Sequence, residues 1–151
     1  KAAAALVLGA EGVNMGTRFM CTREAPINDQ IKKALIAGSE RDTNLIFRTL
    51  HNTARVFKNA VSDEVVRMER REGGCTFDDI RSLVSGERGK RAFAEGDINA
   101  GTISAGMIIG LLDDIPSCAE LLERMVAECR TSLASASLCF RSSSVSDKNL
   151  S

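Results

Sequence analysis

Gly12-Val13-Asn14-Met15-Gly16-Thr17-Arg18-Phe19 is the stretch from which the fold is read. Val13 and Met15 alternate with Asn14 as in a half-buried strand. Gly16 then admits a backbone conformation, or a close approach, that a side chain would block, and Thr17 adds a hydroxyl. Successive N–H groups at such a strand end form a cradle suited to a phosphate. Upstream, residues 1–8 are an alanine-rich helical run that Gly9 closes at C′. Helix, loop, strand and glycine turn make one step of an α/β alternation.

Working outward, Asn28 is an N-cap for a helix to Ala37, stopped at Gly38. Leu45, Phe47 and Thr49 alternate with their neighbours and predict a strand over 43–49. His51-Asn52 reads as a turn, and 54–58 is ambiguous. Val61, Val65 and Met68 mark a helix over 62–72 that ends at Gly73-Gly74. Thr76 and Asp79 are spaced as a capping box for the next helix. Another short helix, 88–95, stops at Gly96, and a small polar linker covers 97–101. Residues 102–112 predict the most apolar helix. Ser117 and Glu120 predict a capping box for a last helix, in which Leu121, Met125, Cys129 and Leu133 recur every four residues. Beyond about Ser135 the periodicity fades into serine-rich sequence, so 135–151 is expected to be disordered.

Bulk properties exclude several classes. The chain has 151 residues, enough for a real core, with 20 basic and 20 acidic side chains. That balance offers nothing to nucleic acid or an anionic membrane, and no apolar run approaches the ~20 residues that span a bilayer. Five cysteines at irregular spacing contain no C-x-x-C pair, so they read as reduced thiols in a cytoplasmic protein. His51 is the one histidine, which rules out a histidine-based triad with a second imidazole. Its turn setting predicts a surface histidine, and Asp113-Asp114 before Pro116 predicts an exposed acidic loop.

Several segments together resemble the nitronate monooxygenase family: 10–19, Glu40-Arg41-Asp42-Thr43, 52–59, Glu95-Gly96-Asp97, and Ser104-Ala105-Gly106 leading to Asp114-Ile115-Pro116. The similarity runs from Lys1 to about Leu133. It implies an α/β fold, the C-terminal part of a TIM (β/α)8 barrel in which this segment is mostly α. Residues 1–20 would be the last barrel helix–strand unit with its phosphate loop, 21–101 a mainly helical insertion, and 102–134 the closing helices. It implies FMN as cofactor, held by Asn14, Met15, Gly16 and Thr17, with Ser104, Ala105 and Gly106 near the flavin. The loops after the last two strands of such barrels form a recurrent phosphate site. Met107 stands where relatives often carry glutamine. The family's catalytic histidine is expected upstream of Lys1, so no catalytic residue is expected within the chain, which would be inactive alone. The implied reaction oxidises an alkyl nitronate with O2 to a carbonyl compound and nitrite. Two alternatives are an FMN-dependent enoyl-thioester reductase and a non-catalytic helical interaction module or inactive fragment.

Overall fold

The computed structural model describes residues 2–141, with side chains to Leu138. The described residues fold as two compact units, one of residues 2–14 with 118–141 and one of residues 15–117. Residues 15–20 and 102–117 therefore group with the middle of the chain rather than with its ends.

In the terminal unit α1 (Ala2–Val7) packs against α7 (Cys118–Arg141). Gly9, at φ 94°, ends the first helix as its position predicts. On α7 the expected stripe holds over its first three positions: Leu121 is buried and Met125 and Cys129 are half-buried, while Leu133, like Leu122 and Val126, is exposed. The helix runs past Ser135 to Arg141, so residues 135–141 are helical, not disordered. Alanine and leucine in this stretch propagate an existing helix even where no apolar face is kept. The remainder of the expected disordered tail lies outside the described residues.

The central unit is built from short elements. α2 (Thr17–Met20) and α3 (Asp29–Ala37) come first, the latter capped by the Asn28 side chain, which accepts from Gln30 N. β1 (Thr43–Ile46) pairs antiparallel with β2 (Ala54–Phe57) in the register Thr43↔Phe57 and Ile46↔Ala54. The turn between them carries His51 at φ 54°, in the left-handed region. Next comes α4 (Ala60–Glu69), whose cap is Asn59 in a reciprocal box with Ser62. α5 (Phe77–Ile80) starts with the expected Thr76–Asp79 box, in which the Asp79 carboxylate accepts from Thr76 N at 2.7 Å. α6 (Gly86–Glu95) ends at Gly96, φ 81°.

Two apolar clusters organise these pieces. One gathers Cys21, Ile31, Leu35, Phe57, Ile103 and Ile109; the other gathers Ile46, Val56, Val65 and Ile80. Each of these aliphatic side chains is 0–2% exposed, worth roughly 1.5–3 kcal/mol apiece on burial. Burial also pushes the Cys21 thiol up, against the lowering influence of the Arg18 and Lys32 charges. The thiol therefore stays neutral at physiological pH and serves as a small apolar packer.

Two sequence expectations change here. Residues 12–16 form no strand; among the described residues no neighbour offers their backbone a ladder, and alternation alone does not make a sheet. Residues 102–112 are not one helix. Val56 forms an antiparallel bridge with Ser104, Phe57 N donates to Ile103 O at 2.7 Å, and a 3₁₀ turn follows at Met107–Leu111. The free edge of β2 captures residues 103–105 in extended form, which overrides their apolar helical pattern. Residues 21–101 thus contain a small sheet as well as helices.

Candidate functional site

Gly16 caps α2 with helical dihedrals, φ −90° and ψ −71°, and no side chain caps the helix. The left-handed freedom of glycine is therefore not what position 16 uses. A Cβ built there meets nothing within 4 Å, so protein packing does not require glycine either. What distinguishes the position is open space beside the first-turn N–H groups of a helix start. Those groups are a natural anion donor set.

Thr17 is tied to the second segment singled out by sequence. Its hydroxyl accepts a hydrogen bond from Gly106 N at 3.0 Å, across 89 positions of chain. Gly106 in turn is the extended residue that leads into the 3₁₀ turn. Ser104 is exposed, whereas Ala105 is buried and donates its amide to Arg55 O at 3.4 Å. The Ser104-Ala105-Gly106 segment does not open an α-helix as expected; it is a bridge strand ending in a cap. Met107 beside it is 53% exposed.

A third segment joins these two. Arg18 is buried, and its guanidinium donates to Asp114 Oδ1 at 2.6 Å and to Asp114 O at 3.1 Å. Arg23 N donates to Pro116 O at 2.9 Å. The acidic loop is accordingly only half as expected: Asp113 is exposed, but Asp114 clamps the loop to α2. The fork of an arginine on one carboxylate and its own carbonyl fixes orientation as well as distance. Residue type alone does not reveal this pair, because its members are 96 positions apart.

The remaining site residues divide. Met15 is half-buried at the start of the central unit, close in sequence to Gly16 and Thr17. Asn14 is exposed, without regular structure, and falls in the terminal unit. His51 is exposed in the hairpin turn, and Thr17, Arg18, Gly106 and Asp114 form their hydrogen bonds without it. In the complete enzyme His51→Ala should leave turnover within a few-fold of wild type. A loss of about a hundredfold or more, typical of a general acid–base group, would give His51 a catalytic role. Among the described residues no cluster of His, Cys, Asp and Glu could hold a metal, and no helix is long and apolar enough to cross a membrane.

FabK from Thermotoga maritima superimposes with TM-score 0.79 at 29% identity, covering 89% of this chain and 42% of that one. This shows the fold class: the chain is part of an α/β barrel. A protein from Rhodococcus jostii named (3aS,4S,5R,7aS)-5-hydroxy-7a-methyl-1-oxo-octahydro-1H-indene-4-carboxyl-CoA dehydrogenase is 27% identical over 83% of this chain and 45% of its own length. Its namesake from Mycobacterium tuberculosis is 27% identical over 89% of this chain and 48% of its own. A probable nitronate monooxygenase of Staphylococcus aureus is 33% identical over 44% of this chain and 19% of its own. The chain thus spans less than half the length of these relatives. The sequence profile of the nitronate monooxygenase family matches residues 1–128, and with that match over most of its length the chain belongs to the nitronate monooxygenase family.

Proposed function

We propose that this chain supplies the phosphate-holding side of an FMN site in a flavin-dependent oxidoreductase. The observation that carries the reading is the Thr17–Gly106 hydrogen bond, 3.0 Å. It brings the two segments singled out by sequence together around an uncapped helix start, where a side chain at position 16 would enter empty space. The residues present suit a phosphate monoester. Backbone N–H groups of Gly16 and Thr17 would donate to its oxygens, with Met15 flanking them. Ser104, exposed beside Gly106, would lie on the flavin side. Asn14, the other expected contact, remains part of the proposed set through its place in the motif.

When bound, the flavin supplies the electron transfer. The chain's own residues hold and orient. Arg18 and Asp114 fix the helix start, and Thr17 fixes residue 106 against it. Such fixed donors lower the reorganisation needed to bind an anion. The catalytic base is expected outside these residues.

For the substrate, family membership supports oxidation of an alkyl nitronate by O2, yielding a carbonyl compound and nitrite. A CoA or carrier-protein thioester is the second reading. It is favoured by the carboxyl-CoA dehydrogenases, which match over 83% and 89% of this chain against 44% for the nitronate relative. The deciding assay gives the complete flavoprotein each substrate in turn. Nitrite release from a nitronate under O2 supports the first reading. Oxidation of NAD(P)H dependent on an enoyl thioester supports the second. A colourless protein inert to both would leave only the interaction-module alternative.

A further inference from the structure

A cleft of about 540 Å³ lies along β1 and α4, and none of its lining residues is among those of the proposed flavin site. Its walls carry Arg48, Arg55 and Arg70 against a single carboxylate, Glu69. In a chain of zero formal net charge, that is a local excess of positive charge. Among the described residues none of these three arginines is in an ion pair. The lone carboxylate is already engaged, since Glu69 Oε1 accepts from Thr49 N at 3.3 Å and Thr49 Oγ1 at 3.2 Å. Arg55 is held in place by donating to Thr43 Oγ1 at 2.8 Å, which leaves most of its fork free. β1 is also the edge of the sheet among the described residues, so its outward amides have no strand partner.

Three guanidinium groups against one carboxylate leave the cleft with a net positive charge, partly preorganised, which matches a ligand with clustered phosphate charges. The volume is that of a small-molecule site. We infer that this cleft is an oligophosphate-binding site, taking either a free oligophosphate or the phosphate groups of a nucleotide-type ligand. The site is independent of the flavin reading, because none of its residues belongs to the Thr17–Gly106 arrangement.

The test is isothermal titration of the complete protein with inorganic pyrophosphate at low ionic strength, with coenzyme A and NADPH as separate arms. Saturable binding of one pyrophosphate per chain is expected. The Arg48→Gln/Arg70→Gln double variant should weaken it by at least roughly tenfold, since two charge-assisted contacts are removed. Both side chains are exposed, so folding is unaffected, which circular dichroism verifies. Coenzyme A or NADPH binding more tightly than pyrophosphate, and displaced by it, identifies the nucleotide source; equal affinities identify free oligophosphate. Gly16→Val should leave pyrophosphate binding unchanged. The inference is overturned by absence of saturable binding, by wild-type affinity in the double variant, or by loss of binding in Gly16→Val alone.

Discussion

Gly16→Val in the complete enzyme should purify without its yellow colour. The substitution is expected to lower flavin affinity by at least roughly tenfold, the loss that follows when one hydrogen bond to a charged group, about 1.5–3 kcal/mol, is blocked. The structure makes this variant informative. Gly16 already has dihedrals open to any residue, and its Cβ direction is empty for 4 Å. Valine therefore fits the protein and clashes only with what occupies the open space. Thermal unfolding should match that of flavin-stripped wild type while flavin absorbance after gel filtration falls. Full flavin content in a folded Gly16→Val protein would remove the phosphate cradle from this position.

Asn59→Ala should be strongly destabilising for a change at a polar side chain. Asn59 is buried; its Oδ1 accepts from Ser62 N at 2.8 Å, and its Nδ2 donates to Ile98 O and to Gly101 O, the latter at 2.9 Å. Truncation removes the cap of α4 and leaves two carbonyls of the 97–101 loop without this donor. A lost cap costs about 1 kcal/mol, and each buried orphan about 1–3 kcal/mol. A loss of roughly 3 kcal/mol is expected, or a fall in Tm on the order of 10 °C. Arg88 Nε, which donates to Ala100 O at 2.6 Å, keeps part of the loop in place. Asn59→Asp keeps the cap acceptor but sets a carboxylate oxygen against the Ile98 and Gly101 carbonyls, so it should be at least as destabilising as Asn59→Ala. A urea midpoint unchanged in Asn59→Ala would show that the loop is held by other bonds.

The 97–101 linker illustrates how composition misleads. Small and polar, it reads as a loose connection, yet Asn59 and Arg88 clasp it, and Ala60 N donates to its Asn99 Oδ1 at 3.0 Å. A Cβ at Gly101 would stand 2.7 Å from the Arg88 carbonyl. The glycine there serves close backbone approach, a property that depends on a segment well upstream in the chain. The Thr17–Gly106 and Arg18–Asp114 pairs have the same character. Their members are visible in the sequence, Thr17 and Gly106 as site candidates, but the pairing is not.

What the chain's residues determined by themselves is local. Asn28, Thr76 with Asp79, Gly9 and Gly96 mark helix ends because a cap needs only its own helix and a few bonds within four residues. β1 is legible only at its start: the alternation that predicts 43–49 runs past Ile46, because Phe47, at φ 62°, already turns the chain towards β2. Tertiary structure decided the rest. Residues 12–16 alternate correctly but no described strand pairs with them, and residues 103–105 look helical but are taken by the open edge of β2. Asn59 caps α4 locally through Ser62, but its Nδ2 also holds Ile98 O and Gly101 O, about forty residues away, which no local pattern encodes. The proposed site has the same origin: Thr17 and Gly106 stand out in the sequence as candidates, while their meeting depends on a long-range hydrogen bond that no local period encodes.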